Sequence, residues 1–185
     1  SELEEAIRRI EKLIRELREV NKRVAEEVKK SNEESKEVNK RVKDDVKELI
    51  ERLRDIVKKV KDKDTVEEIV KEVLKRVKEL IDEVRRISDE DLKTSKRLID
   101  EVKRITDEML ERVRRLVEDV RRKTRDKDVE DKLREVLRRV EKVAEESRRH
   151  LEKVARESEE VVKRSRKHLE EVEREVKKVI DEIRK

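Results

Sequence analysis

Apolar residues recur along this chain every 18 positions. Val66, Val84, Val102 and Val120 follow one line of the pattern, and Ile69, Ile87 and Ile105 a second. Leu74, Leu92 and Leu110 form a third, Leu80, Leu98 and Leu116 a fourth, and Leu133, Leu151 and Leu169 a fifth. Eighteen residues at 3.6 per turn make five whole turns, so each set falls in one line along a straight α-helix. A seven-residue repeat would instead impose a left-handed supercoil. The first pass reads Leu3, Ala6, Ile7, Ile10, Leu13, Ile14, Leu17 and Val20. A stripe this wide suits a helix that touches two neighbours better than a narrow two-stranded seam.

Two interruptions divide the pattern. The first is Lys61-Asp62-Lys63-Asp64, after which Thr65 and Glu68 have the spacing of a capping box. The second is Lys123 to Lys127, followed by Asp128 as an N-cap. Ser1 and Glu4 repeat the capping signal at the start. The spacing therefore predicts helices over 2–61, 65–123 and 129–184, each about 87 Å long at 1.5 Å per residue. Short connections make sequential helices antiparallel. The expected fold is all-α: a single-chain, antiparallel, up-down-up three-helix bundle of long, nearly straight helices of about 60 residues. The loops are too short to serve as domain linkers, so residues 1–185 read as one domain.

Polar residues break the apolar stripe in the central third of each helix. The first helix has Asn21, Ser31, Asn32, Ser35 and Asn39 there. The second has Ser88, Asp91, Ser95 and Thr106 where neighbouring passes carry valine or methionine. The third has Ser147, Ser158 and Ser165 in the stripe, with His150 and His168 on its flank. If the first turn joins Val60 to Val66, antiparallel neighbours have numbers summing to about 126, and the third helix is offset from the first by about 126. Asn21 then lies level with Thr106 and Ser147, with His150 one turn on. Asn39 lies level with Ser88 and Ser165, with His168 one turn on. Between them Ser31, Asn32 and Ser35 face Asp91, Ser95 and Ser158. An unpaired polar group in a core costs about 1–3 kcal/mol, so matched depth points to layers hydrogen-bonded across the helices. Asp91 needs donors from Ser88, Ser95 or Asn32, or a cation.

Composition narrows what such a chain can do. Charged residues make up 59% of it, and Gly, Pro, Cys, Trp, Tyr and Phe are all absent. Without the periodicity, so much charge would indicate disorder; with it, the composition is that of long packed helices. The 57 basic and 52 acidic residues leave a net charge of +5, with the signs interspersed. That pattern supports helices and solubility and argues against nucleic-acid or membrane-surface partners. No run of 18 apolar residues could span a membrane, and half of Ser1–Ile10 is charged, unlike a signal peptide. His150 and His168 are 18 residues apart, about 27 Å by helical rise, and cannot share a metal. The pairs Ser147/His150 and Ser165/His168 have nucleophile-and-base spacing, but a glycine-free chain lacks a strained turn or an oxyanion hole to use them. The reading is of a non-enzyme without cofactors or metal.

The 18-residue repeat, the three near-equal helices, the glycine-free turns and the depth-matched Asn, Ser, Thr and His positions together resemble a de novo designed, parametrically generated helical bundle with buried hydrogen-bond networks. The resemblance implies a structural scaffold with no natural substrate or cellular address, whose polar layers set helix pairing and register. It also implies an alternative, an interaction module that self-associates or accepts a partner helix, because the wide stripe fits three helices or four. Related designs use buried histidines as acid switches. If His150 and His168 were buried and neutral, stability would be lost as the pH fell through their unfolded pKa. A natural membrane-curving helical module is disfavoured by the unbroken repeat and the lack of Gly, Pro and aromatics.

Overall fold

A computed structural model describes residues 1–185 and contains three α-helices and no strands. Helix α1 spans Glu2–Lys59, α2 spans Lys63–Lys123 and α3 spans Lys127–Arg184. With no proline or glycine to interrupt them, the helices end only where the apolar pattern does. Acidic residues occupy the first turns and basic residues the last turns of α1 and α2, complementing the helix dipole.

Both turns begin their helices earlier than the spacing predicts. Asp62, not Thr65, caps α2: its Oδ1 accepts the Asp64 N–H at 3.2 Å, and its Oδ2 accepts the Thr65 hydroxyl at 2.8 Å. Asp126, not Asp128, caps α3, accepting the Asp128 N–H at 3.0 Å, while Thr124 Oγ1 accepts the Asp126 N–H. In each case the acceptor has the short carboxylate reach that an N-cap needs to meet the N2 amide. The Ser1 cap is as expected, with Glu4 N–H donating to Ser1 Oγ. No residue has a left-handed backbone, so the turns need no glycine.

The chain contains two compact units, each built from a segment of all three helices. Unit 1 is residues 1–29 and 94–157; unit 2 is residues 30–93 and 158–185. In unit 2 the core is a single cluster that includes Val42, Val46, Leu53, Val70, Val77, Ile81, Leu169 and Ile180. In unit 1 the core is divided. Ile10, Ile14, Leu17, Val113, Val117 and Leu133 belong to one cluster, and Val24, Val28, Ile99, Val102, Leu151 and Val154 to another. Valine is the commonest residue in all three clusters. Its middling helix propensity is overridden here by packing.

Candidate functional site

In unit 2, α1 contributes Ser31, Asn32, Ser35 and Asn39, α2 contributes Ser88 and Asp91, and α3 contributes Ser158, Ser165 and His168. The buried Ser35 hydroxyl donates to Asp91 Oδ2 at 3.0 Å, joining α1 to α2. The two residue numbers sum to 126, the value expected for that antiparallel pair. Asp91 is half-buried, and its donor is Ser35 rather than Ser88, Ser95 or Asn32 as expected. One turn makes the difference, because Ser35 stands level with Asp91 on the facing helix. Ser88 and Ser165, both buried, bring their hydroxyls to 3.5 Å across the α2–α3 seam, longer than an ordinary hydroxyl hydrogen bond. Outside this contact, Arg166 pairs with Asp89 at 3.0 Å and Arg85 with Glu173 at 2.9 Å. Ser158 is buried; Ser31, Asn32 and His168 are half-buried. Asn39 is also half-buried, but its Oδ1 is enclosed and accepts no hydrogen bond.

Unit 1 treats its polar residues differently. Asn21, Thr106 and Ser147 lie between its two apolar clusters, between Leu17 and Val24 on α1, Val102 and Val113 on α2, and Val143 and Leu151 on α3. The hydrogen bonds of Asn21 and Thr106 turn inward. Asn21 Nδ2 donates to the Leu17 carbonyl and Thr106 Oγ1 to the Val102 carbonyl, both at 2.8 Å and both four residues back in their own helix. Short polar side chains reach that carbonyl without help from a neighbour. Asn21 Oδ1 is buried and accepts nothing. Ser147 is half-buried and Ser95 buried. His150 is exposed rather than part of a buried layer, whereas His168, at the same spacing from its serine, is half-buried: both lie on the edge of the stripe, where a small rotation of the helix decides burial.

The chain has the fold of a three-helix bundle. It is similar to a computationally designed three helix bundle with a TM-score of 0.63 and 22% identical residues, over 98% of this chain and 88% of that one. At that identity the likeness is one of fold. No protein-family model and no curated protein sequence matches the chain.

The chemistry available to these residues is modest. No hydrogen bond joins Ser147 to His150 or Ser165 to His168, and the Ser165 hydroxyl faces Ser88 instead. No group of three or more His, Cys, Asp or Glu side chains converges as a metal site would. No helix is long and apolar enough to cross a membrane. What the polar side chains can do is hold helices at fixed depth. The apolar periodicity does not single out the ion pairs that reinforce them: Arg148–Asp107 and Arg114–Glu141 in unit 1, and Arg166–Asp89 and Arg85–Glu173 in unit 2. The antiparallel register was the available signal, since each arginine lies near the level of its acid on the facing helix.

Proposed function

We propose that this chain is a designed structural scaffold without enzymatic activity, in which polar side chains placed at matched depths in the core specify helix pairing and register. The observation that carries the reading is the Ser35–Asp91 hydrogen bond, which ties α1 to α2 at the depth the apolar register gives. The similarity in fold to a designed three-helix bundle supports a designed origin, as does a sequence with seven residue types missing, Gln as well as Gly, Pro, Cys, Trp, Tyr and Phe. All three helices run without a break through the residues of both units, which supports reading 1–185 as one domain. Buried polar pairs add little net stability, but they penalise every pairing that leaves them unmatched, and this is how they specify a structure.

The test is to replace Asn21, Ser35, Asn39, Ser88, Asp91, Thr106 and Ser165 together with Leu, Ile or Val. Light scattering on a sizing column, with refractive-index detection, should find the parent as one species of 22.5 kDa. The apolar variant should resist guanidinium better, yet run as a mixture of masses with broadened amide NMR lines. A variant that stays a single 22.5 kDa species with sharp lines would remove the specificity role.

A further inference from the structure

On unit 1, α1 and α2 form a shallow, open notch of about 400 Å³. Leu13 and Leu116, both half-buried, form its floor. Its rim holds four cations, Arg9, Lys12, Arg112 and Arg115, against the single carboxylate of Glu16. Arg9, Lys12 and Arg112 make no ion pair, and Arg115 touches only Glu111, at 3.6 Å. A notch between the same two helices on unit 2 provides the contrast. There Leu49 and Leu80 are rimmed by Asp45, Glu48, Arg52 and Arg76, two charges of each sign, with Arg52 held by Glu48 at 2.7 Å and Arg76 by Glu79 at 3.6 Å. The second notch neutralises itself and is about half the size, near 190 Å³. The first has an apolar floor and uncompensated positive charge.

We propose that the unit 1 notch binds small amphiphilic anions, compact apolar groups bearing one sulfonate, sulfate or carboxylate. The volume lies within the range of small-ligand sites. The apolar part of the ligand covers Leu13 and Leu116, which water now wets. The anion sits among guanidinium groups whose planar forks match its oxygens, with Lys12 adding a point charge. Because Arg9, Lys12 and Arg112 have no carboxylate to give up, the one pair that binding could disturb is the exposed Arg115–Glu111 contact. The site is open and its charges are screened by salt, so the dissociation constant should be roughly 0.1–1 mM.

The experiment is a titration of the full chain with 1-anilinonaphthalene-8-sulfonate, followed by amide chemical shifts and dye fluorescence. The expected result is saturable binding, with shifts concentrated over residues 9–16 and 112–116. Arg9→Glu with Arg112→Glu should weaken it at least tenfold. Arg52→Glu with Arg76→Glu lowers the net charge equally and should leave it within twofold. The uncharged analogue N-phenyl-1-naphthylamine should bind at least fivefold more weakly. All the substituted side chains are exposed, and helicity at 222 nm checks that each variant is folded. Shifts scattered over all three helices, equal weakening by the two double variants, or equal binding of the uncharged analogue would each overturn the proposal.

Discussion

Units 1 and 2 are made from the same three helices, yet they place buried polarity differently. Unit 2 has side chains that meet across helices, Ser35 with Asp91 and Ser88 with Ser165. In unit 1, Asn21 and Thr106 bond to their own backbones, and the layer they occupy divides the apolar core in two. The difference lies in what each side chain faces. A carboxylate has no donor and cannot bond to a carbonyl of its own helix, so Asp91 takes its hydrogen bond from a hydroxyl, that of Ser35 on the facing helix. A hydroxyl or amide donor always has the carbonyl four residues back within reach. Facing side chains thus permit a bond between helices, and of the two contacts in unit 2 the one with the acceptor-only Asp91 is the shorter, 3.0 against 3.5 Å.

The comparison can be probed most forcefully through the apolar cores. Ile10→Ala in unit 1 and Leu53→Ala in unit 2 each empty a fully buried position and should each lower the unfolding free energy by about 2–5 kcal/mol. Guanidinium titration followed by circular dichroism reads both. A loss below about 1 kcal/mol at either site would mean that the unit concerned is not close-packed.

Next in size is the unpaired oxygen of unit 1. Asn21→Leu removes a buried acceptor without a donor and should raise stability by about 1–3 kcal/mol. A fall in stability would mean that the unpaired oxygen does not carry the expected cost. The hydroxyls give a smaller and opposed pair of effects. Ser35→Ala leaves half-buried Asp91 without its donor and should cost about 1–2 kcal/mol. Thr106→Val loses only a bond to a carbonyl already engaged in the helix and should change stability by less than about 0.5 kcal/mol. Equal costs at the two positions would erase the contrast between the units.

The smallest effect belongs to the turn before α2. The Thr65 hydroxyl, and then the Asp64 N–H, donate to Asp62 and hold its carboxyl below its ordinary value of 3.8. A depressed folded pKa contributes stability that is present above the unfolded pKa and lost as the pH falls through the folded one. Asp62→Asn keeps a capping oxygen but cannot titrate. The parent should therefore lose ground against this variant as the pH falls below 3.8, and match its pH dependence above about pH 5. Parallel curves throughout would disconnect the cap from the acid response.

Much of this architecture could be read from the residue pattern. The 18-residue period located three helices to within a few residues, and the register derived from the Val60–Val66 turn put Ser35 in the group facing Asp91, without naming it as the donor. The cap residues were ambiguous, because Asp62, Asp64 and Thr65 can all accept an amide and only backbone geometry chooses among them. Bonding partners were not legible, since periodicity fixes the level of a side chain and not the torsion that aims it. His150 shows the limit most plainly. On the edge of a stripe a rotation of a few tens of degrees separates burial from exposure, and the sequence does not record that rotation.

The preference for valine in the core has a consequence for motion. Valine has a single side-chain torsion, and in a helix one well of that torsion holds about 90% of the population. Val28, Val70, Val84, Val113 and Val154, all nearly inaccessible, therefore have little rotameric freedom to lose when the helices associate. In the folded state their remaining liberty is the spinning of methyl groups about fixed axes. These valines thus have almost no looser arrangement to visit before the helices separate, and the looser states of the interior belong to the leucines and isoleucines beside them.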